Sequence, residues 1–82
     1  MALFMDIHRI EGVTAQAAAQ AHAADLQTQG RYGVNYQKYW VDEAKGQVFC
    51  LVDAPSAEAA RAVHQEAHGL VADTIHPVVE GA

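Results

Sequence analysis

The chain has 82 residues and a formal net charge of −5, which comes from ten acidic and five basic side chains. Because the Lys and Arg residues are scattered singly, the sequence lacks the basic footprint that nucleic acids and anionic membrane surfaces require. We therefore expect neither nucleic acid nor membrane among its partners. A hydrophobic content of 51% predicts a single folded domain, residues 1–82, whose own core is small.

The N-terminal segment carries charges at Asp6 and Arg9 and has neither a long apolar run nor a cleavage pattern, so no secretion signal is expected. No apolar run approaches the length of a membrane span. The single cysteine, Cys50, excludes an intrachain disulfide and fits a reducing compartment. These features predict a cytoplasmic protein.

The first predicted element is a strand over residues 2–10, whose side chains alternate between two faces. The faces carry Leu3, Met5 and Ile7 on one side and Phe4, Asp6 and His8 on the other. Thr14 is a good N-cap for a helix over the Ala-rich residues 15–28. Gly30 is the predicted end of that helix.

Residues 32–42 and 48–54 are rich in aromatic and β-branched side chains, which predicts two strands. A turn at Lys45-Gly46 joins them into a hairpin. Ser56 is the predicted N-cap of a second helix, and Gly69 ends it. Residues 73–81 form a fourth predicted strand, in which Pro77 favours an edge position.

The resulting order, β-α-β-β-α-β, predicts an α+β ferredoxin-like fold with sheet order 4-1-3-2 and both helices on one face. The other face of the sheet is then bare and largely apolar. We expect two copies to bury these faces against each other, which makes a homodimer with the form of a dimeric α+β barrel.

This topology brings most of the five histidines to one edge of the domain. His8 ends the first strand, His64 and His68 lie in the last turns of the second helix, and His76 lies near the start of the fourth strand. His22 lies midway along the first helix. Imidazoles and carboxylates suit nickel, zinc, copper and iron, and an i,i+4 pair of histidines can bind one ion.

Two questions stay open in the sequence. Alternation puts Asp6 and His8 on the same face, but that face meets either the helices or a partner sheet. Cys50 lies near the centre of the third strand, where it is either a thiolate ligand or a small buried apolar side chain.

Several segments together resemble a known family over nearly the whole chain. They are MDIHR, AHAADL, VFCLVDAPSAEA, VHQEAHG and VADTIHPVVEG. The chain resembles the small actinobacterial nickel-binding, ferredoxin-like proteins, a nickel-responsive family without a settled reaction. The resemblance implies a dimeric ferredoxin-like barrel that binds nickel, and by motif position its candidate metal residues are Asp6, His8, His22, Cys50, His64 and His68. Gln16 and Gln20 stand where this family's pattern leads us to expect acids.

Three functions follow as hypotheses. The first is a small metal-binding protein that senses, buffers or delivers a divalent ion, with nickel preferred over zinc or copper. The second is an enzyme of the isomerase or cofactor-free oxygenase type, in which His8 or His22 acts as general base in a pocket between sheet and helices. The third is an interaction module whose histidines are simply packed. A metal-binding assay on variants of His64 and His68 separates the first from the third.

Overall fold

The structure is a computed structural model that describes residues 2–82. Three elements precede the central hairpin: β1 (Ala2–Arg9), α1 (Ala15–Thr28) and a short 3-10 turn (Gln29–Tyr32). The remaining elements are β2 (Asn35–Asp42), β3 (Gln47–Ala54), α2 (Ala57–Ala67) and β4 (Thr74–Pro77). The strands form one antiparallel sheet in the order β2-β3-β1-β4. The predicted ferredoxin-like fold and its sheet order are confirmed.

The helices begin where the sequence predicts, because both N-cap side chains bond to the backbone. Thr14 Oγ1 accepts from the Ala17 N–H at 3.1 Å, and Ser56 Oγ accepts from the Ala59 N–H at 3.1 Å. The end of α1 differs from the prediction, since Gly33, and not Gly30, has the left-handed conformation with a φ of 65°. The 3-10 turn continues the chain for four residues past α1, which moves the left-handed cap to Gly33.

The last strand is shorter than predicted and ends at Pro77 rather than residue 81. In the antiparallel register Phe4 pairs with Pro77, and the Val78 N–H bonds to the Leu3 carbonyl at 3.0 Å. Beyond that point β1 itself runs out, because it begins at Ala2. The final residues therefore have no strand left to pair with.

The core lies between the helices and one face of the sheet. Alternate residues of β1 and β3 are buried there, together with Tyr36 of β2 and Ala60 and Val63 of α2. The opposite face carries apolar side chains that are only partly covered, and we call it the open face. Its apolar side chains are those of Leu3, Met5, Ile7, Trp40, Phe49 and Leu51. Neither helix within residues 2–82 is long and apolar enough to cross a membrane.

Candidate metal centre

Asp6 lies at the centre of a buried polar cluster on the side of the sheet that faces the helices. Asp6 and His8 are two residues apart on β1 and therefore lie on the same face of the sheet. That face meets the helices, which the sequence alone could not decide. Asp6 is fully buried. Its Oδ2 accepts hydrogen bonds from Tyr36 Oη at 2.8 Å and His64 Nε2 at 3.1 Å, while Oδ1 lies 3.1 Å from His8 Nε2.

These contacts decide the charge of Asp6. Burial alone would raise the pKa of its carboxyl, but hydrogen bonds from His64, His8 and Tyr36 and the charge of His64 outweigh it. The pKa of Asp6 is thereby lowered well below its ordinary value of 3.8. Asp6 is therefore a carboxylate at neutral pH, the form in which it can bind a cation.

His64 bridges two buried carboxylates. Besides its contact with Asp6 through Nε2, its Nδ1 lies 2.9 Å from Asp25 Oδ1. Burial alone lowers the pKa of His64, but the hydrogen bonds and negative charges of Asp25 and Asp6 raise it to about 9. Both ring nitrogens thus donate, and His64 is an imidazolium at neutral pH in the absence of a metal.

Asp25 is a member of this cluster that the sequence pattern did not predict as a metal residue. It is 2% exposed, and its Oδ1 accepts from His64 and also from His68 Nε2 at 3.0 Å. The pKa of Asp25 is lowered from 3.8 because these two histidines outweigh the effect of burial. A signal was present: Ala18, Ala21, His22 and Asp25 follow the i, i+3, i+4, i+7 spacing of one helix face.

The ligand atoms of Asp6, His8 and His64 are spaced as they would be around one ion. His8 Nε2 and His64 Nε2 lie 3.3 Å apart, and each lies 3.1 Å from an oxygen of Asp6. Two ligands bound at right angles with bonds of about 2.1 Å are separated by roughly 3 Å. With Cys50 Sγ included, the four ligand atoms lie within 4.8 Å of one another. The residues present therefore fit a late divalent metal ion.

A second group of possible ligands shares His64 with the first. Asp25, His64 and His68 each offer a ligand atom, again within 4.8 Å of one another. His68 Nδ1 accepts a hydrogen bond from the Leu70 N–H at 3.1 Å, so its Nε2 carries the proton that is donated to Asp25. In this state His68 and Asp25 hold His64 in place.

Cys50 is close to the cluster but is less ready to act as a ligand. It is buried, and burial together with the negative charge of Asp6 raises the pKa of its thiol well above 9.0. Since the thiolate is the metal-binding form, Cys50 must first lose a proton that its surroundings hold. His64 also holds a proton, but its pKa of about 9 lies closer to neutral pH than that of Cys50. Asp6, His8 and His64 are therefore the better candidate ligands.

The other two histidines lie outside both ligand groups. His22 is half-buried, and its ring packs against that of Tyr39 with a centroid distance of 4.8 Å. His76 pairs with Met5 across the sheet and is exposed on the open face. The expectation that His76 joins His8, His64 and His68 at one edge is wrong, because directly paired residues share a face and Met5 points away from the helices.

The fold and the cluster together define a ferredoxin-like α+β protein with a buried Asp and His centre. The family model described as "Nickel responsive protein SCO4226-like" matches residues 4–78, so the chain belongs to the SCO4226-like family. Among solved structures, it is similar to SCO4226 from Streptomyces coelicolor A3(2), with 44% identity and a TM-score of 0.91. That match covers 99% of this chain and 100% of the other. No curated protein matches the chain.

Proposed function

We propose that this protein binds nickel in the cytoplasm through Asp6, His8 and His64 and serves to sense, buffer or deliver the ion. The observation that carries the proposal is the convergence of one carboxylate and two imidazole nitrogens within 3.3 Å of one another. The family name, which describes nickel-responsive proteins, supports nickel over zinc or copper. Imidazole and carboxylate ligands suit nickel, although raw affinity would favour copper.

The neighbours of these three residues would keep them aimed at the ion. Asp25 accepts from His64 Nδ1, which leaves Nε2 of the same ring for the metal, as carboxylate–histidine pairs do in other metal sites. Tyr36 donates to Asp6 Oδ2 and so fixes the orientation of the carboxylate. Because Asp6 is already ionised, nickel uptake requires that the protons on Nε2 of His64 and on Nε2 of His8 leave these nitrogens.

Calorimetric titration of nickel into metal-free, untagged protein tests this function. We compare the wild type with His8→Ala and use His76→Ala as the matched control, since His76 is exposed on the open face. We expect His8→Ala to weaken nickel binding at least about 100-fold, more than the loss of an outer contact costs. His76→Ala should bind as the wild type does.

The same titration at about pH 5.5 should show much weaker binding than at about pH 7.5, since the imidazoles must be deprotonated to bind. Absence of nickel binding by the wild type at both pH values would end the proposal. Uptake that is unchanged by His8→Ala, or by His64→Ala with His68→Ala, would favour the interaction module. Parallel titrations with zinc and copper rank the three metals.

We further propose that two copies associate through the open face, as the apolar side chains there would otherwise remain in contact with water. Trp40 is 49% exposed and pairs with Phe49, which pairs in turn with Ile7 of β1. We expect Trp40→Ser to weaken a dimer seen by sedimentation equilibrium. The control is Leu26→Ser, since Leu26 is similarly exposed, at 47%, but lies on α1. A monomeric wild type, or equal effects of the two substitutions, would contradict this assembly.

A further inference from the structure

A cavity of about 190 Å³ lies between α1 and the side of the sheet that faces the helices. Its walls are mainly apolar side chains from α1, β2, β3 and the loops beside them. They include Val13, Ala17, Ala21, Tyr39, Val48 and Leu70. The space exists because α1 turns alanines toward β2 and β3, and an alanine side chain ends at Cβ. A larger residue at Ala21 would fill it.

One part of the lining is polar, and we call it the histidine end. It consists of His8, His64, His68 and Asp25, which contact one another. His8 is 4% exposed, and within residues 2–82 its Nδ1 has no hydrogen-bond partner. A buried polar nitrogen without a partner is uncommon in folded proteins and calls for an explanation, such as a missing ligand.

The charges around the cavity favour a neutral occupant. Asp25 and Glu11 both contribute to its lining, and no Lys or Arg is found among the described residues that line it. His64 is the charged imidazolium in this lining, but it is already paired with Asp6 and Asp25. An anion would therefore meet Asp25 and Glu11 with no free cation to pair with, at the cost of its hydration. A hydroxyl group, in contrast, both donates and accepts and so can bond to an imidazole in either tautomer.

The size and walls of the cavity favour a single ring. An engineered apolar cavity of about 150 Å³ in another protein holds benzene, so 190 Å³ leaves room for a ring and one or two further atoms. The rings of His22 and Tyr39, whose centroids are 4.8 Å apart, form part of the wall and offer aromatic surfaces for such a ring to contact.

We propose that this cavity is a binding site for a small neutral aromatic alcohol, with the ring between α1 and the sheet and the hydroxyl at the histidine end. The site requires no metal ion, although it shares His8 and His64 with the proposed nickel centre. Binding alone is claimed. The enzyme hypothesis would need, in addition, a reaction that one of the histidines promotes.

Chemical-shift titration of metal-free, 15N-labelled protein with phenol tests the proposal. We expect saturable shifts of the Ala17, Ala21 and Tyr39 amides with a dissociation constant on the order of 1 mM, which is reasonable for a ligand of so few atoms. Benzene, which lacks the hydroxyl, should bind several-fold more weakly because one hydrogen bond is lost. Benzoate should bind at least about 10-fold more weakly than phenol, since it is charged.

The matched variants are Ala21→Leu and Ala19→Leu, which make the same change on one helix. Ala21 lines the cavity, whereas Ala19 is exposed and does not. Ala21→Leu should reduce phenol affinity at least about 10-fold by filling the space, and Ala19→Leu should leave it unchanged. Ala17→Leu is a second cavity-filling variant if Ala21→Leu fails to fold.

Three results would overturn the proposal. They are the absence of saturable shifts in the wild type, phenol binding that survives Ala21→Leu and Ala17→Leu, and benzoate binding as tight as that of phenol. Equal binding of benzene and phenol would be a fourth, because the proposal requires a hydroxyl that bonds at the histidine end. Because the protein is metal-free throughout, none of these results bears on nickel binding.

Discussion

At the scale of single residues, Asp25 contacts both His64 of α2 and His68, the residue that caps the end of this helix. It accepts from His64 Nδ1 and His68 Nε2 through one oxygen. Conversion of this oxygen to a neutral amide oxygen would keep an acceptor but remove the charge that helps to raise the pKa of His64. The contribution of the Asp25 charge to the pKa of His64 can therefore be measured with little change in the shape of the side chain.

We expect Asp25→Asn to lower the pKa of His64 from about 9 by at least about one unit. Nickel affinity, once corrected for the loss of the His64 proton, should fall about 10-fold because the carboxylate that orients His64 is gone. The pKa is measured by NMR from the imidazole shifts of metal-free protein. Glu58→Gln removes a charge from an exposed position of α2 and should leave both quantities unchanged. An unaltered His64 pKa in Asp25→Asn would show that Asp6 alone sets it.

The sequence predicted some of these residues and not others, for identifiable physical reasons. Alternation placed Asp6 and His8 on one face, and the i,i+4 spacing paired His64 with His68 on one helix. Asp25 shares a helix face with Ala18, Ala21 and His22, but that spacing does not say which polar residue of the face is buried. Tyr36 was not selected because nothing in an aromatic strand marks the tyrosine whose hydroxyl donates to the cluster. The position of His76 was predicted wrongly because the sequence does not show which residue of β1 it pairs with. In the structure it pairs with Met5, whose side chain lies on the open face.

At the scale of elements, local chemistry predicted where helices begin better than where they end. The caps at Thr14 and Ser56 depend on one side-chain hydrogen bond each, which sequence alone reveals. The end of α1 depends on whether the chain goes directly into a left-handed residue or first makes a 3-10 turn. That choice is made by packing, and two glycines, Gly30 and Gly33, were equally available.

Gly46 shows how tightly the β2–β3 turn is held against the end of β1. Its carbonyl accepts from the Ile10 N–H at 2.8 Å, and its φ is 65°. A Cβ at this position would lie 2.9 Å from the Ile10 carbonyl oxygen. The turn thus approaches the backbone two residues beyond His8 too closely for any side chain.

We expect Gly46→Ala to lower the free energy of unfolding by about 1–2 kcal/mol more than Gly12→Ala does, by chemical denaturation. Gly12 is the matched control because its φ is 76° but a Cβ there would meet nothing within 4 Å. Both variants share the cost of a left-handed alanine, and the difference between them isolates the close approach. Equal losses would mean that Ile10 moves aside freely.

At the scale of the whole molecule, the cluster joins three elements, since Asp6 lies on β1, Asp25 on α1 and His64 on α2. The predicted order of elements, β-α-β-β-α-β, gave the ferredoxin-like topology, in which β1, α1 and α2 are close together. It could not predict the cavity, whose volume depends on how closely an Ala-rich helix packs. The stability of the whole domain is coupled to the charge of this cluster.

For metal-free protein, we expect the free energy of unfolding to fall as pH rises from about 6.5 to about 9. In this range unfolded His64, with an ordinary pKa of 6.5, loses its proton, whereas folded His64 keeps it up to about 9. The stabilisation is therefore complete below pH 6.5, and up to about 3 kcal/mol is lost as pH passes 9. Urea unfolding at several pH values measures it.

His76→Ala should show the same pH dependence as the wild type, since His76 lies outside the cluster. Saturating nickel should reverse the trend, because the ion takes the place of the His64 proton and binds more tightly as pH rises. A flat profile in metal-free protein would mean that the two carboxylates do not hold the proton on His64.

Because Asp6 and His8 are two residues apart on β1, the candidate metal centre depends on the register of this strand. Deleting one residue between His8 and the turn that follows would keep the strand. If the turn stays in place, each side chain of β1 before the deletion would move to the opposite face of the sheet. Methionine and isoleucine would then point inward toward His64, and the carboxylate and imidazole would turn outward to the surface where the second copy is proposed to sit. The loss of one codon would thus separate the proposed nickel ligands and place a charge in the proposed interface, although the composition of the chain would hardly change.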